Sequence, residues 1–72
     1  MSRTRGSISN RVRELRFQAG EMTQEQLANG VGVSRQTIIA IEQGRFFPSL
    51  ESALRMARVF GVPVDAIFSL ED

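Results

Sequence analysis

The stretch Met22-Thr23-Gln24-Glu25-Gln26-Leu27-Ala28-Asn29-Gly30-Val31-Gly32-Val33-Ser34-Arg35-Gln36-Thr37-Ile38-Ile39-Ala40-Ile41-Glu42-Gln43-Gly44-Arg45 carries two helix starts and two helix stops. Thr23 is an N-cap residue, and Gln26 three positions later completes a capping box. Met22 before the cap and Leu27 after it suit a hydrophobic staple. The spacing predicts a helix from Gln24 to Asn29 or Gly30, after which Gly30 and Gly32 release the chain into a tight turn around Val31. Ser34 caps a following helix that runs to Glu42 or Gln43 and is stopped by Gly44. Ile38 and Ile41 face the core with Val33, which leaves a polar face outside. The β-branched residues weaken this helix locally, so tertiary packing has to hold it.

Working outward, Ile8, Val12, Leu15 and Ala19 form one apolar stripe and predict a helix over Ile8–Ala19, capped by Ser7 or Ser9 and ended by Gly20. On the other side, Pro48 fixes the loop Arg45-Phe46-Phe47-Pro48 and Ser49 caps a fourth helix. Leu50, Ala53, Leu54, Ala57 and Phe60 form its expected buried stripe, and Gly61 ends it. Pro63 suits the start of a short fifth helix, Val64–Phe68, whose Ile67 and Phe68 close the core. Strand periodicity is nearly absent. The expectation is an all-α, compact five-helix bundle with short connections.

At 72 residues the chain is one domain near the lower limit for a self-sufficient core. It has no cysteine and no histidine, which removes disulfides, thiolate metal sites and the commonest general base. No metal and no cofactor is expected. Lys, Tyr and Trp are missing too, and the carboxylates are scattered, so an enzyme is not expected. No apolar run approaches the ~20 residues that cross a bilayer. Met1–Asn10 lacks a signal-peptide core, so the expected compartment is the cytoplasm.

Charge is distributed unevenly. Residues 1–20 hold Arg3, Arg5, Arg11, Arg13 and Arg16 against Glu14, a balance of +4; residues 59–72 hold only Asp65, Glu71 and Asp72, a balance of −3. All nine basic residues are Arg, a side chain that makes bidentate contact to phosphate and guanine. Arg-favouring codon usage is an equally good account of the missing Lys. The expected division is a flexible basic arm over 1–7, a domain over 8–70 and an acidic tail over 71–72. Arg3 and Arg5 either enter a minor groove or are solvated, the second being the commoner fate of a terminus.

The ordered set Arg11-Val12-Arg13-Glu14-Leu15-Arg16, Met22-Thr23-Gln24-Glu25-Gln26-Leu27-Ala28, Val31-Gly32-Val33-Ser34-Arg35-Gln36-Thr37-Ile38, Ile41-Glu42-Gln43-Gly44-Arg45, Pro48-Ser49-Leu50 and Gly61-Val62-Pro63-Val64-Asp65-Ala66-Ile67-Phe68 resembles the Cro and phage-repressor helix-turn-helix regulators, the Xre-like family. The resemblance covers roughly residues 8–70. It implies the lambda-repressor-like DNA-binding fold, with helices 2 and 3 as the helix-turn-helix and helix 3 in the major groove. By position it makes Arg35 and Gln36 base readers, with Ile39 and Ala40 one turn on, where Ile39 either touches a thymine methyl, is neutral or meets a second copy. It makes Gln24, Ser34, Thr37 and Arg45 phosphate contacts, with Arg11 a further one from helix 1. Arg16 and Glu42 are implied as an ion pair that holds helix 3, Arg16 also being within reach of a phosphate.

Three positions depart from the family. The loop Gln18-Ala19-Gly20-Glu21-Met22 is one residue longer than in the shortest relatives, Gln43 stands where Asn is common, and Phe47 stands where a polar residue is common. The expected function is a sequence-specific regulator of double-stranded DNA, most often a repressor in this family, acting as a homodimer on a palindromic operator. Val59, Val62, Phe68 and Leu70 are candidates for the dimer surface, or else they finish the monomer core. The alternative is an antitoxin-like or co-regulator module that binds a protein partner through Phe46-Phe47 or the acidic C-terminus. Arg35, Gln36, Gln24 and Arg45 together favour DNA.

Overall fold

The computed structural model describes residues 7–71. The order is β1 (Ser7–Asn10), α1 (Val12–Gln18), α2 (Gln24–Val31), α3 (Arg35–Glu42), α4 (Leu50–Phe60), a 3-10 turn (Val64–Ala66) and β2 (Phe68–Glu71). Arg3 and Arg5 lie outside the described residues.

Among the described residues the fold is mostly helical but not all-α, with four α-helices rather than five. The first departure is at the ends. Ser7–Asn10 does not extend α1. It pairs antiparallel with Phe68–Glu71, Ile8 opposite Leu70 and Asn10 opposite Phe68. The Arg11 amide continues the ladder to the Ile67 carbonyl at 2.8 Å. Ser9 Oγ donates to Glu71 Oε2 at 2.6 Å. The ladder thus takes in Ser7 and Glu71, one residue beyond each end of the span 8–70. Neither Ser7 nor Ser9 starts α1. Its N-cap is Arg11, which makes no side-chain cap bond; Asn10, one residue earlier, accepts from the Val12 amide through Oδ1 at 3.1 Å.

The second departure is at the fifth helix, which closes after a single 3-10 turn because Phe68 is drawn into β2. Ile67, between the two, is fully buried.

The helix-turn-helix is α2 and α3. Thr23 and Gln26 form the reciprocal capping box, at 3.0 and 2.9 Å, and Ser34 Oγ accepts from the Thr37 amide at 3.1 Å. α2 runs one or two residues further than its spacing suggests, to a buried Val31. Gly30 stays helical and packs against α4, where an added Cβ would stand 3.2 Å from Val59 Cγ2. Gly32 alone makes the turn, at φ 87, a left-handed conformation that costs glycine little. The longer loop after α1 uses two left-handed residues in succession, Gly20 and Glu21.

Val12, Leu27, Ile38, Ile41, Met56 and Ile67 are the fully buried centre. α4 turns a different face inward from the one its leucines suggest. Ala53 and Met56 are buried and Ala57 and Phe60 pack on the core, while Leu50 and Leu54 are exposed. α4 meets α2 closely at Gly30, which lies against Val59, and Met56 fills the centre of the core. Val59, Val62 and Phe68 pack against the same core, leaving Leu70 as the exposed member of that group.

Candidate nucleic-acid interface

The most developed polar constellation joins α1, α2 and α3. Arg16 Nε donates to Glu42 Oε2 at 2.6 Å and Nη2 donates to Oε1 at 3.1 Å, a bidentate fork. The third arm, Nη1, donates to the Met22 carbonyl at 2.7 Å. Both side chains are nearly closed off from solvent, at 8% and 9% exposure. Gln24 Nε2 adds a bond to Glu42 Oε1 at 3.3 Å. One guanidinium therefore ties the C-terminal end of α3 to α1 and to the strap that leads into α2. At the same end of α3, Asn10 Nδ2 donates to the Ile41 carbonyl at 3.0 Å. That carbonyl belongs to the last turn of the helix and also accepts from the Gly44 amide at 3.0 Å.

Held this way, α3 presents two outward rows. Arg35, Ile39 and Gln43 border a concave surface shared with Arg13, Phe17, Thr23, Gln24 and Glu25. Gln36 and Ala40 border a second concavity with Ser34, Thr37, Arg45 and Phe46. The Arg35 and Gln36 side chains are exposed and make no hydrogen bond among the described residues, so their donors are free for a ligand. Ile39 and Ala40 are half-buried, one turn further along. Ser34 and Thr37 hydroxyls lie 2.9 Å apart. Together, Arg35, Gln36, Ile39 and Ala40 occupy the helix face, while Gln24, Ser34, Thr37 and Arg45 surround it.

Arg11 is not brought to this surface. It faces Glu14 across a 2.8 Å ion pair and reaches the Ala66 carbonyl at 3.4 Å. The hydrogen bond and charge of Glu14 raise the Arg11 pKa above its ordinary value, and Arg11 in turn holds the Glu14 carboxyl below the usual range.

Arg13 and Phe17 join the surface, and the family positions single out neither. Arg13 and Arg16 flank the ring of Phe17, their guanidinium carbons 5.5 and 5.4 Å from its centroid. The signal in the sequence is a lone aromatic residue one turn after one arginine and next to another. Among the described residues no cluster of three or more potential metal ligands is present, and no helix is long and apolar enough to cross a membrane.

Comparison of the sequence with known proteins points to one family. The helix-turn-helix family profile matches residues 12–67, from the start of α1 to the buried Ile67. An uncharacterized HTH-type transcriptional regulator of Methanocaldococcus jannaschii is 57% identical over 51 residues, covering 71% of this chain and 77% of that protein. Another, of Archaeoglobus fulgidus, is 47% identical over 65 residues, 90% of this chain and 91% of its own. The cryptic phage CTXphi transcriptional repressor RstR of Vibrio cholerae is 38% identical over 62 residues, 86% of this chain and 55% of its own. The chain belongs to the Cro and phage-repressor type of helix-turn-helix transcriptional regulators.

Proposed function

We propose that this chain is a sequence-specific DNA-binding regulator that lays α3 in the major groove and represses by occupying an operator. The observation that carries the reading is the exposed start of α3, where Arg35 and Gln36 stand unengaged above a helix anchored from behind by Arg16 and Glu42. Arg35 pairs with the O6 and N7 acceptors of guanine and Gln36 with the edge of adenine. Ile39 and Ala40 meet thymine methyl groups. Gln24, Ser34, Thr37 and Arg45 contact phosphate on either side, with Arg13 added on the α2 side. Eight residues of helix read only a few base pairs, so two copies act on a palindrome with their α3 helices about 34 Å apart. A relative named as a transcriptional repressor supports repression.

Exposed Phe46 and Phe47 favour a second reading, a module that binds a protein partner through this loop. One experiment separates the two. Purified protein is titrated onto the DNA upstream of its own gene against random competitor, over a salt series, with Arg35→Ala beside it. The DNA reading expects competitor-resistant binding that the variant weakens by about 1–3 kcal/mol. Binding that salt abolishes and Arg35→Ala leaves unchanged is non-specific phosphate attraction. That result, or no binding, moves the partner module ahead.

A further inference from the structure

We propose that the exposed face of α4 formed by Leu50, Glu51, Leu54, Arg55 and Arg58 is where two copies of this chain pair, antiparallel, about a two-fold axis close to Leu54. The proposal rests on the homodimer reading above and assigns its surface.

Leu50 is 73% exposed and Leu54 53%, one helical turn apart on the same face. With Glu51, Arg55 and Arg58 they line one shallow concavity. The core takes the opposite side of the helix through Ala53 and Met56. Nothing within the described chain covers the two leucines.

Charge selects the occupant. Glu51 precedes Leu54 by three residues and Arg58 follows it by four, all on this face. An antiparallel two-fold pairing centred near Leu54 sets Glu51 of each copy against Arg58 of the other, with the leucines between them. A parallel pairing would set Glu51 on Glu51 and Arg58 on Arg58. Among the described residues Arg58 has no acidic partner, and Glu51 has only Arg55 of its own helix, at 2.7 Å. In that orientation Glu51 and Arg58 are complementary across the two-fold, while Arg55 beside the axis keeps its bond to Glu51 of its own helix.

Size sets the strength. The eleven residues of α4 span about 16 Å, so this contact falls short of the roughly 800 Å² per partner of a stable interface. Pairing is weak in free protein and completed on DNA carrying two half-sites. Of the competing group, Val59, Val62 and Phe68 are half-buried against their own core, and only Leu70 stands exposed.

Sedimentation velocity without DNA, over a concentration series reaching about millimolar, tests this independently of DNA reading. The proteins compared are wild type, Leu54→Asp, Glu51→Arg, Arg58→Glu and the double reversal Glu51→Arg with Arg58→Glu. Wild type is expected to form a dimer as concentration rises. Each single variant should raise the dimer dissociation constant by at least about tenfold, and the double reversal should restore it. A wild type that stays monomeric overturns the proposal, as does a dimer indifferent to Leu54→Asp or a double reversal no better than its parents. Thermal melts of each variant exclude unfolding as the cause. If dimerisation behaves as expected and no DNA is bound, the DNA reading alone fails.

Discussion

Replacing Glu42 with Gln tests the anchoring of α3 most directly. The carboxylate receives two arms of the Arg16 guanidinium at 2.6 and 3.1 Å in a site where both side chains are more than nine-tenths enclosed. Breaking a buried pair by removing one charge costs roughly 3–5 kcal/mol, because the remaining ion is left uncompensated. The amide oxygen of Gln can still accept one bond, and Arg16 keeps the Met22 carbonyl at 2.7 Å. The expected loss is therefore at the lower end, about 3 kcal/mol. A domain of this size has roughly 4–11 kcal/mol in total, so the fraction is large. Each kcal/mol lowers Tm by about 4–8 °C, giving a fall of roughly 12–24 °C.

The assay is thermal and urea denaturation followed by circular dichroism, with Arg16→Met/Glu42→Leu as a companion. The double replacement removes both charges together, and its stability should be near wild type or above it. Its DNA binding should still fall, since the fork that orients α3 is gone. A loss under about 1 kcal/mol for Glu42→Gln would refute the reasoning, because a solvated surface pair is worth only that much.

Asn10→Ala removes both the acceptor for the Val12 amide and the donor to the Ile41 carbonyl, so denaturation should show a loss of about 1–2 kcal/mol. Gly32→Ala meets no atom within 4 Å, so its expected cost, about 1–2 kcal/mol in the same assay, is that of a left-handed backbone alone. The Glu14 carboxyl titrates below its ordinary range because Arg11 bonds and faces it. Its contribution is present above the unfolded-state pKa and is lost as pH falls through the lower folded one; Glu14→Gln should make the acid limb of a stability–pH curve shallower, and an unchanged limb would dismiss the pair.

α2 and α3 are legible in the sequence because everything that starts and stops them is local. Thr23 with Gln26, Ser34 with Thr37, and the glycines at 32 and 44 act within a few residues of the ends they define. The strands are not legible for the opposite reason. Ser7–Asn10 and Phe68–Glu71 have four residues each, too few for an alternation to stand out, and their partners lie at opposite ends of the chain. Ile8 also continues the Val12–Leu15 stripe, so the pattern favours a longer helix until Phe68–Glu71 is there to pair with it. In α4 the two candidate stripes share Ala53, Ala57 and Phe60; hydrophobicity prefers Leu50 and Leu54, while tertiary packing buries Met56. At the site, the capped starts of α2 and α3 locate Gln24, Arg35 and Gln36. Arg13, Phe17 and Asn10 depend on how α1 lies across the pair of helices, which no local pattern encodes.

α3 cannot hold its own orientation. It is eight residues long, rich in β-branched side chains, and buries only Ile38 and Ile41. An isolated helix of that length is marginal in water. Its position is therefore imposed by contacts beyond its own length: the Arg16–Glu42 fork and the Asn10 bond to Ile41, with the cap at Ser34 fixing its start. Two classes of variant should follow from this division. Loss of an outward cation such as Arg45 removes a phosphate contact and lowers the slope of log K against log salt by about 0.9. Loss of an anchor such as Asn10 weakens binding by loosening α3 without removing a cation, so the slope should stay at its wild-type value while affinity drops. A reduced slope in Asn10→Ala would mean that α3 is held mainly by the DNA itself, and the anchors would then serve stability alone.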